Sequence, residues 1–180
     1  KMIILKELEV DDYLSWYQGF NNRLDKQLPY DEGKLDMEPC TKSWFVKLVE
    51  HHQTLRKCDE QYIYGIFRKE DGKHLGMIYL AKLVRDRTSW AEIGYFIHNQ
   101  YFQKGYGKAA LKLLLKINRE ELHFHRLEAQ TFPDNEPSKR LLVSCGFVFE
   151  GRRQQMRYEN GERQPQDIYV YLEDVDLNVE

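Results

Sequence analysis

The chain has 180 residues, 42% of them hydrophobic, enough for one globular domain over residues 1–180 that buries roughly two-thirds of the surface an unfolded chain exposes. Its 27 basic and 29 acidic residues leave a net charge of −2 with neither sign gathered into a block, which excludes a nucleic-acid arm and an acidic tail. The apolar runs are short and broken by charges, and the start lacks a basic-then-apolar leader, so no membrane association is expected and the cytoplasm is the expected compartment.

Residues 2–8 (MIILKEL) read as a first strand, and Asp11-Asp12 opens a helix with Tyr13, Leu14, Trp16 and Tyr17 as its periodic apolar set. The segment 20–38 mixes Asn, Gly, Pro and acidic residues without periodicity and reads as a long surface loop, the kind that tends to carry function. After Pro39 the residues Trp44, Phe45, Leu48, Val49 and Leu55 mark one face of a second helix of about four turns.

From Tyr62 to Ile97 the pattern becomes β: YIYGIF, LGMIYLAKLV and WAEIGYFI, with Asp71-Gly72 and DRTS as turns, predict an antiparallel meander. WAEIGYFI is apolar on both faces and belongs in the centre of the sheet. A helix is predicted from about Gly105 to Leu122, with Ala110, Leu113, Leu114 and Ile117 as its apolar stripe. RLEAQTF (126–132) is a strand reached through that helix, hence the second member of a parallel pair. A short helix over 135–145, a strand in FVFEGRRQQMRY, the turn Asn160-Gly161 and a last strand in IYVYLE follow, with fraying after Asp174.

Cys40, Cys58 and Cys145 are odd in number and contain no C-x-x-C pair, which fits a reduced interior. Cys145 reads as a small buried side chain rather than a nucleophile, and His123 and His125 lack the further ligand spacing that a metal would need, so no metal is expected.

The segment Phe102-Gln103-Lys104-Gly105-Tyr106-Gly107-Lys108 lies between a central strand and an amphipathic helix. Its glycines permit tight turning and close approach of a ligand, and the first-turn amides present the positive end of the helix dipole to an anion. A Walker A loop would need Gly where Phe102 stands and Ser or Thr where Ala109 stands, so that reading fails. A dinucleotide fingerprint through Gly105, Gly107 and Ala110 should follow its strand directly, yet HNQYFQK intervenes. Two glycines that merely start a helix remain the structural alternative.

Downstream, Asn135-Glu136-Pro137-Ser138-Lys139-Arg140-Leu141-Leu142 ends in Cys145-Gly146-Phe147. Together with AEIGYFI and FQKGYGKAAL, this combination resembles the GNAT superfamily of N-acetyltransferases, in the branch containing Rim-type ribosomal-protein and spermidine acetyltransferases. The resemblance runs from about Leu75 to Leu172. It implies a GNAT fold of mixed α/β class: a mostly antiparallel sheet of six to seven strands with one parallel, splayed pair, flanked by about four helices.

It further implies acetyl-CoA as co-substrate. The CoA pyrophosphate would sit on Phe102, Gln103, Lys104, Gly105, Tyr106, Gly107 and Lys108, and the pantetheine arm along Tyr95, Phe96 and Ile97, between strands 89–97 and 126–132. Phe102 departs from the Gln or Arg of many members and matches the aromatic of the Rim-like branch. Asn135 would cap the short helix and contact pantetheine, and Ser138 would protonate the leaving thiolate; a plain helix cap and a surface serine are the structural alternatives. Glu92 interrupts an apolar strand, where an idle carboxylate is costly, and is the candidate general base; pairing with an Arg or Tyr is its alternative.

The acceptor is expected to be an amine, preferably a peptide or protein N-terminus, with a small polyamine or an aminoglycoside as alternative; a homodimer is the allowed assembly. Loop 20–38 and the 158–165 turn are expected to build its site, with Asp31, Glu32, Asp36 and Glu38 attracting cations or merely solvated, and Tyr30 and Trp16 lining it unless Trp16 is core. A non-catalytic acyl-CoA-binding module would carry the same phosphate loop.

Overall fold

The computed structural model describes residues 2–175, so the end of the predicted frayed tail lies outside the described residues. In chain order the strands are β1 (Ile3–Lys6), β2 (Gln61–Arg68), β3 (His74–Val84), β4 (Trp90–Ile97), β5 (Arg126–Thr131), β6 (Val148–Glu159) and β7 (Glu162–Leu172). The helices are α1 (Tyr13–Asn21), α2 (Lys42–Lys57), α3 (Tyr106–Ile117) and α4 (Glu136–Ser144).

Backbone hydrogen bonds order the strands β1-β2-β3-β4-β5-β7-β6, which makes β4 the fourth of seven, as its two-faced apolar pattern predicts. β4 and β5 pair parallel, whereas β1–β2, β5–β7 and β6–β7 are antiparallel. The chain packs as two compact units. Among the described residues the first comprises 2–80 and 95–113 and the second 81–94 and 114–175, so β3, β4 and α3 each pass through both.

In the first unit, α1 starts after a 3-10 turn, Val10–Asp12, where the Asp12 carboxylate accepts from the Glu9 amide at 2.8 Å and pairs with Lys6 at 2.6 Å. Thr41 caps α2 by accepting from the Trp44 amide at 3.2 Å, and Arg56 and Lys57 complement the dipole in its last turn. The apolar faces meet in a core of Leu8, Trp16, Met37, Phe45, Val49, Phe67 and Met77. Trp16, with its ring 4.9 Å from Phe45, is therefore core. The β2–β3 hairpin turns at Asp71-Gly72, with Gly72 at φ 71°.

α3 passes in the second unit into a π-helical turn, Asn118–Leu122, so the helical chain ends at Leu122 as the sequence pattern predicts, and His123 follows at φ 61°. The fully buried Asn118 explains the stop: its amide donates to the Phe124 carbonyl at 2.8 Å and accepts from the Phe124 amide at 2.9 Å, turning the chain into β5. Tyr106, Ala110, Leu111, Leu114 and Leu115 are the buried residues of α3, whereas Leu113 and Ile117 are half-buried. The buried stripe is thus rotated from the predicted one.

β6 and β7 form a long hairpin closed by Asn160 (φ 51°) and Gly161 (φ 80°), the two positive φ values that a two-residue turn with the strands' twist requires. β7 begins at Glu162 rather than near Ile168, so 158–165 is paired strand around a tight turn, not the excursion expected for an acceptor site. The local sequence ERQPQ hid this because its alternation is polar and Pro165 argues against a strand.

Candidate active site

The first unit contains the phosphate-loop candidates. β4 ends at Ile97, a 3-10 turn spans Asn99–Tyr101, and Gln103 (φ 59°) and Gly105 (φ 80°) take left-handed conformations on either side of Lys104 before α3 begins at Tyr106. A Cβ built at Gly105 would meet nothing within 4 Å, so glycine is demanded there by φ and leaves an open face above the backbone. The loop is anchored from below: Tyr106 is buried, accepts from Arg68 Nη1 at 3.2 Å and sets its ring edge-on to Tyr101 at 6.4 Å.

Gln103, Lys104, Gly105 and Lys108 are exposed, and Phe102 and Gly107 are half-buried. The first turn of α3 has no acidic residue. Lys104 and Lys108 thus stand at the positive end of a helix dipole, an arrangement that costs about 0.3–1 kcal/mol per charge in isolation and favours a bound anion.

Tyr95 and Ile97 are half-buried and Phe96 is 38% exposed. A Cβ at Gly76 on β3 would collide with the Phe96 carbonyl oxygen, so that glycine lets the two backbones meet closely.

The second unit contains Glu92, Asn135 and Ser138. The β4–β5 register covers Trp90↔Arg126 to Ile93↔Ala129 and sets Glu92 opposite Glu128. Burial first and the Glu128 charge second raise the pKa of Glu92, against the pull of Arg153 and Arg157 on β6. Asn135 caps α4, its side-chain oxygen accepting from the Ser138 amide at 3.3 Å, with Pro137 in the first turn. The structure therefore joins Asn135 to Ser138 and Glu92 to Glu128, while the loop 102–108 and Tyr95–Ile97 share the first unit.

Cys145 is buried at the end of α4, and His125 lies 2.6 Å through Nδ1 from the Glu173 carbonyl oxygen. Both fit fold-supporting roles.

Two groups escaped the sequence reading. Glu128 alternates with Arg126 and Gln130 in RLEAQT, so it reads as part of a polar strand face and no local signal marks it as buried. The other is a buried polar network. Arg23, 6% exposed, donates from Nε to His98 Nδ1 at 2.9 Å, and His98 Nε2 lies 2.9 Å from His74 Nδ1. Asn99 donates to the carbonyls of Leu24 and Asp25 and to Asp31, and accepts from the Leu24 amide at 2.7 Å. Loop 22–41 has no helix or strand, yet it is held by His98 and Asn99 immediately after β4, while Gln100 donates to the Gly19 carbonyl in α1. Partners some 75 residues apart leave no sequence signature.

The fold and loop define a class, and comparison with known proteins names it. Residues 3–148 match the acetyltransferase (GNAT) domain family, and the chain belongs to that family. The probable N-acetyltransferase YjcK of Bacillus subtilis (strain 168) is 35% identical over 105 residues, spanning 58% of this chain and 58% of that protein. Ribosomal-protein-S5-alanine acetyltransferase from Vibrio fischeri superposes with a TM-score of 0.78 at 18% identity, over 97% of this chain and 94% of that one. RimL, a ribosomal L7/L12 α-N-protein acetyltransferase solved with coenzyme A, superposes with a TM-score of 0.76 at 18% identity, over 98% and 97% of the two chains.

Proposed function

We propose that the chain transfers the acetyl group of acetyl-CoA to a primary amine, preferably the α-amine of a peptide or protein N-terminus, by direct attack in a ternary complex. The observation that carries this reading is the loop at Gln103–Gly107: left-handed on both sides of Lys104, open above Gly105, and flanked by two lysines at a helix N-terminus without an acid. Such a cradle suits a pyrophosphate held by main-chain amides. Tyr95, Phe96 and Ile97 would pair with the pantetheine arm, and Asn135 would touch it while capping α4.

An alkylammonium must lose a proton before its nitrogen can attack a thioester carbonyl. In this reading Glu92 accepts that proton. The nitrogen–carbon bond then forms and the carbon–sulfur bond breaks. The Ser138 hydroxyl gives its proton to the departing thiolate and regains one from the acylated nitrogen.

Two features favour a peptide over a polyamine. The carboxylate oxygens of Asp31 accept from the amides of Gln27 and Gly33, Asp36 accepts from the Glu38 amide, and Glu32 lies 3.8 Å from Arg23. Much of the acidic charge of the loop is thus spent inside it. Both structural neighbours described above are also named for ribosomal-protein acceptors.

Incubation with acetyl-CoA and a panel of peptides plus spermidine, read by mass spectrometry and by release of CoA thiol, tests the proposal. Acetylated peptide N-termini are expected. Acetylation of spermidine alone would overturn the acceptor, and no thiol release with any amine would overturn catalysis.

A further inference from the structure

Glu128 is 1% exposed, and the chemistry above gives it no task. Burying a carboxylate costs several kcal/mol, on the order of what one strong pairing returns, and an apolar side chain of like volume would fill the same place at less cost. Here the carboxylate is deliberately held. Trp90 Nε1 donates to Oε2 at 2.8 Å, Arg153 Nη1 approaches Oε1 at 2.6 Å in an ion pair without hydrogen-bond geometry, and Arg126 Nη2 lies 3.9 Å from Oε2. Arg126 itself is drawn to Glu150.

Register partners on parallel strands project to the same face, so Glu92 and Glu128 stand side by side. The charges that reach Glu92 are Glu128 from β5 and Arg153 and Arg157 from β6. Without Glu128, two guanidinium groups would dominate its surroundings and make it a weak proton acceptor.

We propose that Glu128 is a positioning residue acting through Glu92: its negative charge, fixed at equal register by Trp90 and Arg153, offsets the β6 arginines and keeps the Glu92 carboxylate fit to take the proton of the acceptor ammonium. The inference rests on Glu92 being the general base.

Glu128→Gln preserves the size and the acceptor for Trp90 and removes only the charge. Glu92 is followed directly through its carboxyl carbon by NMR titration, and through the acid limb of kcat/KM. In Glu128→Gln both midpoints move to lower pH, and kcat falls about tenfold while the KM for acetyl-CoA holds. Arg157→Gln moves the same midpoints to higher pH. Loss of fold support would give no such opposition of sign. An unmoved midpoint in Glu128→Gln, beside an inactive Glu92→Gln, would overturn the role of Glu128 alone. Full turnover in Glu92→Gln would overturn the base reading and the positioning role with it.

Discussion

Arg23 Nε donates to Nδ1 of His98 across 2.9 Å, and because a guanidinium has no acceptor, this one bond sets two tautomers. His98 must carry its proton on Nε2 and give it to His74 Nδ1, which leaves the His74 Nε2 proton facing Met77 Sδ at 3.1 Å. Both rings are neutral donors in series, packed around Phe20, whose ring centre lies 4.6 Å from His98 and 5.9 Å from His74. The relay ties the chain after α1 to the exit of β4, just ahead of the candidate loop 102–108.

Burial, reinforced by His74 and Arg23, pushes the pKa of His98 down to about 2, and burial with Arg23 pushes that of His74 down to about 3. A folded-state value below the unfolded one means that the unfolded chain binds more protons, so this stability is complete above about pH 6.5 and drains as pH falls towards those values. Each histidine contributes a slope of up to about 1.4 kcal/mol per pH unit in that window. Urea midpoints should therefore drop between pH 6.5 and 4.5, above the range in which most carboxylates titrate, with a smaller part from His52. His98→Gln should flatten the curve. An equally steep curve in that variant would remove the relay as its cause.

Gly19→Ala should destabilise, although alanine is favoured over glycine inside a helix by about 1 kcal/mol. Its Cβ would lie 2.7 Å from His98 Nε2 and 2.8 Å from the His74 carbonyl oxygen, and overpacking of this kind costs about 1–3 kcal/mol. Thermal denaturation of the variant gives the sign directly.

The sequence carried the elements well and the polar contacts poorly. WAEIGYFI could be placed at the sheet centre because apolar residues occupy both faces, and Asn160-Gly161 could be placed as a turn because two positive φ values in succession have few other tenants. The contact that ends the helix at Leu122 was not legible, since it depends on Asn118 reaching Phe124, and a lone Asn at the end of an apolar stripe looks like any solvated residue. The start of β7 was missed because its residues up to Asp167 are polar or Pro and show no apolar alternation, even though Gln166 and Asp167 are buried. In the candidate site, the glycine pair and Glu92 were visible from local context. The coupling of Glu92 to Glu128 required the β4–β5 register, which no local window contains.

Ser138→Ala should lower kcat about 10²-fold or more and leave the Kd for acetyl-CoA within a factor of about two, because general acid catalysis acts in the transition state. Steady-state rates beside a binding titration separate the two. Asn135→Ala should instead cost about 1 kcal/mol of stability through the lost cap as well as weaken cofactor binding, while Asn135→Asp should keep the cap.

Gly105→Ala should fold with a penalty of about 1–2 kcal/mol from the left-handed backbone, since its methyl would meet no atom, yet bind acetyl-CoA at least about tenfold more weakly as the cradle shifts. Denaturation and binding measured on the same preparation distinguish a bent loop from an unfolded chain.

Calorimetric titration of the protein with acetyl-CoA, with NAD and ATP as controls and Gly107→Trp as the blocked variant, tests the central claim most directly. Saturable binding of acetyl-CoA alone, abolished in Gly107→Trp, is the predicted result. No heat from acetyl-CoA, or unchanged binding in Gly107→Trp, would contradict it and leave the two glycines as no more than the start of a helix.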